Sequence, residues 1–367
     1  MFEQINIFKW LRETAANNAV KIDMATSGIP SVTAADLELD AAELPIYDGA
    51  NSPKHFPQLR RMLADRYDIP VEMVMLTPAA SGANFMVPAS LIKPGDEALS
   101  EQPYYEPQWR SAQAAGAKVN FFQRRPGNKF RVEPEEVERA ITPATRLIIL
   151  SNLHNPSMQQ ARDEDIIAVA EIAARNDAYV LIDEVYREAF YDRKPDTAAK
   201  LRGNIIVTSS FGKALGVQGL RIGWGLGPPE IIRAAQRILE YSSVVMPSPT
   251  AHILIRALER EDALRARAMK FVEGKVDIAR RWAEGRGDIG FFEPAASANV
   301  FVRLPEGIES MAFCNRLAEE RGVMVDPGEL FGIPGFARIS LIENPDRIKE
   351  GLKEIDAMLD ERKAAGK

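Results

Sequence analysis

Apolar positions along the first two-thirds of the chain switch repeatedly between two periods. Short, largely apolar runs occupy Val74–Thr77, Glu97–Ser100, Lys118–Phe122, Leu147–Leu150, Tyr179–Ile182, Ile205–Thr208 and Ile222–Leu226. Between them, apolar residues recur at helical spacing over Leu59–Arg66, Ala83–Leu91, Glu106–Ala115, Pro134–Ala140 and Glu164–Arg175. Strands alternating with helices of this length predict an α/β domain whose mostly parallel, seven-stranded sheet lies between helices. The runs Leu147-Ile148-Ile149-Leu150 and Tyr179-Val180-Leu181-Ile182 suit strands buried on both faces.

Beyond about Ser248 the pattern changes. One long, charged helical pattern runs from Thr250 to Arg281. It is followed by a strand at Asn299–Arg303, a helix at Ser310–Arg321, a strand at Ala337–Leu341 and a closing helix from Pro345 to Lys363. This reads as a smaller α+β domain. Met1 to Asn18 reads as a short amphipathic helix with Phe2, Ile5, Phe8 and Leu11 near one face.

Composition acts mainly by exclusion. A chain of 367 residues suggests two or three domains, and 46% hydrophobic residues supply an ordinary core. A net charge of -6 leaves no basic field to attract nucleic acid or an anionic membrane. No apolar run approaches the roughly 18 residues of a membrane span, and the first residues lack the basic start of a signal peptide. The single cysteine, Cys314, allows no intrachain disulfide and fits a reducing compartment, so a cytoplasmic location is expected. Its neighbours repeat at helical spacing, which favours a buried apolar role over a catalytic thiol. His55, His154 and His252 are scattered, with no metal-binding spacing.

In an open α/β sheet, ligands bind beyond the carboxyl ends of the strands, and those ends carry chemistry here. After the strand ending at Thr208, Lys213 sits in a small-residue turn with Ser210 three positions before it and Arg221 eight after. A lysine amine can condense with an aldehyde, while the hydroxyl and the forked guanidinium can hold a phosphate. An exposed lysine on a glycine-rich loop is the alternative. After Ile182 comes Asp183, a carboxylate whose burial needs compensation by a salt bridge or by a protonated ring nitrogen. Ser151-Asn152-Leu153-His154-Asn155-Pro156 offers an amide at Asn155, although Asn-Pro turns are common. Pro78 to Asn84 opens a helix with small residues, where Ser81 serves as a cap, an anion ligand or both. Tyr104 and Tyr105 can stack on a heterocycle or fill the core. Gly223-Trp224-Gly225-Leu226-Gly227 lacks the third glycine and the distal acid of a dinucleotide fingerprint and is rejected as one.

Together these residues resemble the fold-type I pyridoxal 5'-phosphate (PLP) enzymes, specifically the class I/II aminotransferases, from Ser27-Gly28-Ile29-Pro30 to Ala337-Arg338-Ile339-Ser340. The spacings from Asp183 to Lys213 and from Lys213 to Arg221 match that family. The resemblance implies that Lys213 forms the Schiff base with PLP and then moves the substrate Cα proton. Asp183 would pair with the ring nitrogen, Asn155 and Tyr186 with the ring oxygen, and Tyr105 would stack on the ring. Ser81, Gly82, Ala83, Ser210 and Arg221 would hold the phosphate, with Tyr47 reaching the phosphate of a partner subunit. Arg338 would clamp the α-carboxylate, and Gly28 would line the pocket.

Two departures stand out. Met158 occupies the family's glycine position in the Asn-Pro turn, and His55-Phe56 replaces a glycine before Leu59. The resemblance further implies a homodimer, with residues 44–249 as the large domain and residues 1–43 and 250–367 as the small one. The expected activity is transfer of an amino group between an L-amino acid and a 2-oxo acid. A C–S β-lyase, a racemase or a biosynthetic cyclase or oxidase would keep the same residues. A cofactor-sensing regulator would need a separate DNA-reading domain, for which no room is expected ahead of Ser27. Arg187, His154 and Arg12 are positional candidates for a second substrate-binding cation.

Overall fold

The computed structural model of the chain describes residues 2–40, 42, 44–45, 54–296 and 298–365, the side chains of 362–365 excepted. Tyr47 lies outside the described residues. In chain order the strands are β1 (Ile22–Asp23), β2 (Val74–Thr77), β3 (Glu97–Gln102), β4 (Lys118–Gln123), β5 (Thr145–Ser151), β6 (Tyr179–Asp183) and β7 (Ile205–Ser209). They continue with β8 (Gly223–Leu226), β9 (Gly290–Phe292), β10 (Asn299–Arg303), β11 (Val323–Met324), β12 (Asp326–Pro327) and β13 (Phe336–Ser340).

Strands β2 to β8 form a seven-stranded sheet in the order β2-β8-β7-β6-β5-β3-β4. Neighbours from β4 through β7 run parallel, and β8 is antiparallel to both β7 and β2. The seven strands are those read from the apolar runs. Leu147, Ile148, Leu150, Val180 and Ile182 are fully buried, which explains why β5 and β6 have no polar face. The rejected dinucleotide segment is largely β8. Its Gly223 is needed for packing, because a Cβ there would lie 2.5 Å from the carbonyl carbon of Ala79.

A second sheet, β12-β13-β10-β9, is antiparallel throughout. Strand β1 pairs in parallel with β11, so Ile22 and Met24 join the second core with Val300, Val323 and Ile339. The chain then crosses toward the large sheet, where the N–H of Ile29 donates to the carbonyl of Lys213 at 3.0 Å. The N-terminal segment is thereby pinned to both cores. Among the described residues, no helix is long and apolar enough to cross a membrane.

The long helix expected from Thr250 to Arg281 is corrected to three: Ser248–Glu259, Glu261–Val272 and Lys275–Arg286. Arg260 leaves helical geometry at the first break (φ -111, ψ 17), and Gly274 adopts a left-handed conformation (φ 70) at the second. Breaks this short leave the charged composition unchanged, so periodicity alone does not register them. Leu254, Ile255 and Leu264 from the first two helices pack on the large core, whereas Ala279 and Ala283 belong to the second. The two-residue strands and β9 are too short to carry a pattern.

Glu184 shows what burial costs beside the sheet's carboxyl edge. Its Oε1 accepts the N–H of Ala198 at 3.0 Å, yet burial still pushes its carboxyl up to about 7, with Arg187 pulling the other way. A carboxyl raised in the folded state adds stability below its unfolded pKa and loses it as pH rises through the folded value. Stability is therefore expected to fall by about 3 kcal/mol between about pH 4.5 and pH 7 on account of this group. Thermal melts of Glu184→Gln across that window should lack this slope; an unaltered slope would exclude Glu184 as its source.

Candidate active site

Strands β5, β6 and β7 end side by side, and parallel pairing aligns Ser151 with Asp183 and Asp183 with Thr208. The chain then turns into a short helix, Gly212–Leu215, that carries Lys213. Its amine donates to Ser27 Oγ at 2.5 Å and lies 5.9 Å from the ring centroid of Tyr186. The Tyr186 hydroxyl donates to the same Ser27 Oγ at 2.8 Å. Burial raises the Tyr186 pKa, but the charges of Lys213 and Arg338 outweigh it and the net direction is down. Gly28 follows in a conformation that disfavours a side chain (φ 109), and a Cβ there would sit 3.3 Å from the Lys213 Cα.

Asp183 is buried at the end of β6. Its Oδ2 accepts from Asn84 Nδ2 at 2.7 Å and its Oδ1 from the N–H of Val185 at 3.0 Å. Burial pushes its pKa up, while these bonds, one from Gln108 and the charge of Lys213 act against the shift. Asn84 is itself fixed, because Thr208 Oγ1 donates to its Oδ1 at 2.7 Å. Tyr105 is half-buried near Asp183, and its ring meets Phe8 edge-on at 6.5 Å. The N-terminal helix, Asn6–Asn17, thus packs over that tyrosine.

Arg338, on β13, is buried and pinned from several sides. Its Nε and Nη2 donate to Asp326 Oδ2 at 3.0 and 2.5 Å, its Nη1 to Asn155 Oδ1 at 2.9 Å, and its guanidinium lies 4.9 Å from the Phe331 ring centroid. Asp326 is its register partner across β12 and β13. Burial pushes Asp326 up to about 6 even with Arg338 against it.

The helix Ala79–Leu91 begins without a side-chain cap, which leaves its positive end available to an anion. Arg221 Nη2 donates to Ser81 Oγ at 3.3 Å across this helix start, and Ala79 N–H donates to the Arg221 carbonyl at 3.0 Å. Gly82 and Ala83 follow directly in the same helix, and Ser210 is buried just after β7. Ser81 and Arg221 are exposed in the single chain.

Lys213, Tyr186, Gly28, Asp183, Asn155 and Arg338 therefore gather in one region, while Ser81 and Arg221 are exposed at the start of the helix Ala79–Leu91 and Ala83 is fully buried in the large core. Sequence reading did not single out Ser27, Asn84, Gln108 or Asp326. Asn84 left a trace, as the one amide in a helix otherwise made of apolar and small residues. Of the positional candidates for a second cation, His154 is excluded. Its ring is buried between Ser157 Oγ and the Pro103 carbonyl, and burial holds its pKa well below the usual range. Arg187 is buried beside Glu184, and Arg12 is exposed. Met158 keeps the left-handed backbone of a glycine (φ 56) and buries its side chain against Leu153, Tyr186 and Phe190.

Comparison with known proteins bears on the family and the fold. An aspartate/prephenate aminotransferase of Thermus thermophilus is 26% identical over 94% of this chain and 95% of its own length. An arginine–pyruvate transaminase of Pseudomonas aeruginosa is 29% identical, over 81% of this chain and 79% of its own. A capreomycidine synthase of Streptomyces vinaceus is 28% identical over 95% and 92%. The fold is shared with a PLP-dependent aminotransferase from Streptococcus suis (TM-score 0.89, 23% identity, 98% of each chain covered). The family description "Aminotransferase class I and II" matches residues 18–355, nearly the whole length, and the chain belongs to that family.

Proposed function

We propose that this protein moves an amino group between an L-amino acid and a 2-oxo acid, with Lys213 as both the anchoring amine and the proton carrier. The observation that carries this reading is the amine of Lys213 set between Ser27 and Tyr186, close enough to buried Asp183 for its charge to act there. The donor set fits PLP: an amine for the aldehyde, a buried acid for the ring nitrogen, and an uncapped helix start with Arg221 for the phosphate. When bound, PLP supplies the aldehyde and a ring that takes up the electron pair released at the substrate Cα.

The chain's own residues do the rest. Arg338 takes the substrate α-carboxylate, already oriented by Asp326 and Asn155, and so fixes which Cα bond faces Lys213. Lys213 removes the Cα proton. Tyr186, with its lowered pKa, supplies a hydroxyl beside that amine, and Tyr105 closes one side of the crevice. Asp183 provides the negative charge that holds a proton on a ring nitrogen placed against it.

The same reading takes the protein as a homodimer. A phosphate held by the exposed pair Ser81 and Arg221 would be covered by a second copy contributing Tyr47. Sedimentation at the mass of one chain would remove this part. The division into residues 1–43 with 250–367, and 44–249, belongs to the proposal too; the β1–β11 pairing supports joining the two ends. A cytoplasmic location is read from the lone, buried Cys314.

The test is a half-reaction followed by absorbance. An excess of L-amino acid should convert bound PLP to its amine form, and a 2-oxo acid should reverse the change. Release of ammonia or a cleaved side chain without that conversion would instead identify a lyase or synthase, the chemistry that the capreomycidine synthase relationship makes worth measuring.

A further inference from the structure

Glu101, at the end of β3, has no exposed surface, and its two oxygens are divided between two tasks. Oε2 accepts from Arg124 Nη1 at 2.6 Å, and Arg124 is anchored in turn by its Nε donating to the Phe130 carbonyl at 2.7 Å. Oε1 accepts both the N–H of Ser151 at 2.7 Å and its hydroxyl at 2.5 Å. An ionised carboxylate only accepts, so the Ser151 proton is committed to Glu101 and the lone pairs of Oγ face outward. There Oγ accepts the N–H of Asn155 at 3.0 Å, and Asn155 Oδ1 accepts from Arg338 Nη1 at 2.9 Å. A path of hydrogen bonds, joined at Asn155 by the covalent frame between its backbone N–H and its side-chain Oδ1, therefore runs from a fully buried ion pair to the guanidinium.

A buried ion pair is weak evidence of stabilisation, because well-packed apolar residues of similar volume often serve as well. Its directional role is more informative. Asp326 holds Arg338 through Nε and Nη2 only, so Nη1 depends on Asn155, and Asn155 depends on the turn that Ser151 fastens. We propose that Glu101 is a positioning residue for the α-carboxylate seat, acting through Ser151 and Asn155 on Nη1 of Arg338. This rests on reading Arg338 as the carboxylate grip.

The test uses Ser151→Ala, which cuts the chain and spares the Glu101–Arg124 pair. The PLP-loaded protein is titrated, by its absorbance change, with L-alanine and with ethylamine, which is alanine without its carboxylate. The wild-type preference for alanine should fall about tenfold in Ser151→Ala, about 1.4 kcal/mol, while ethylamine affinity stays within about twofold. Should the alanine variant not fold, Ser151→Cys, of similar volume and poor hydrogen-bonding power, is expected to behave alike. An unchanged preference, or an equal loss for both ligands, overturns the proposal. A separate arm isolates its premise: Arg338→Ala keeping the wild-type preference would remove the carboxylate grip itself.

Discussion

Lys213→Ala is expected to lower turnover by at least about 10⁴-fold while leaving the fold intact. A positioned proton carrier contributes about 10² to 10⁴ in rate, and loss of the covalent route adds to that. Among the described residues the side chain hydrogen-bonds only to Ser27 and is partly exposed, so its removal leaves no buried charge or large cavity. Melting should therefore change little. The variant should still take up PLP reversibly, because Asp183 and the Ser81–Arg221 cradle do not depend on the amine. Amino-donor turnover measured under excess substrate decides the matter.

The second large effect is on stability as well as chemistry. Arg338→Ala leaves Asp326 as an unpaired carboxylate with no exposed surface, at an expected cost of about 3–5 kcal/mol. Burial has already pushed Asp326 up to about 6, and without Arg338 it rises further. Such a group stabilises the fold below its unfolded pKa and loses that contribution as pH climbs through its folded value. The variant should accordingly recover stability on acidification, beginning above about pH 6 and continuing down to the ordinary carboxylate range. Adding Asp326→Asn should restore most of the stability at neutral pH without restoring preference for a carboxylate-bearing ligand. Denaturant unfolding of the single and double variants at two pH values tests this. A single variant as stable as wild type at pH 8 would contradict the account.

What could be read from the chain follows from parallel-sheet geometry. Each strand buried on both faces announces itself as an apolar run, and the next few residues must lie at the crevice. Asp183 at the end of β6, Asn155 after β5 and Lys213 after β7 were legible for that reason. Ser27 and Asp326 were not, because their roles depend on register between distant segments. The β1–β11 pairing brings the N-terminal stretch toward Lys213, and the β12–β13 pairing sets Asp326 opposite Arg338. Met158 gives the reverse lesson. As a departure from a glycine pattern it raised a question about the turn, yet the backbone keeps the left-handed geometry and Tyr186 gains a packing partner.

Borohydride reduction of the PLP-loaded protein, followed by peptide mapping, addresses the central claim most directly. The account requires a pyridoxyl group on Lys213 and its absence after prior incubation with excess amino donor. A label on any other lysine, or none, would contradict it.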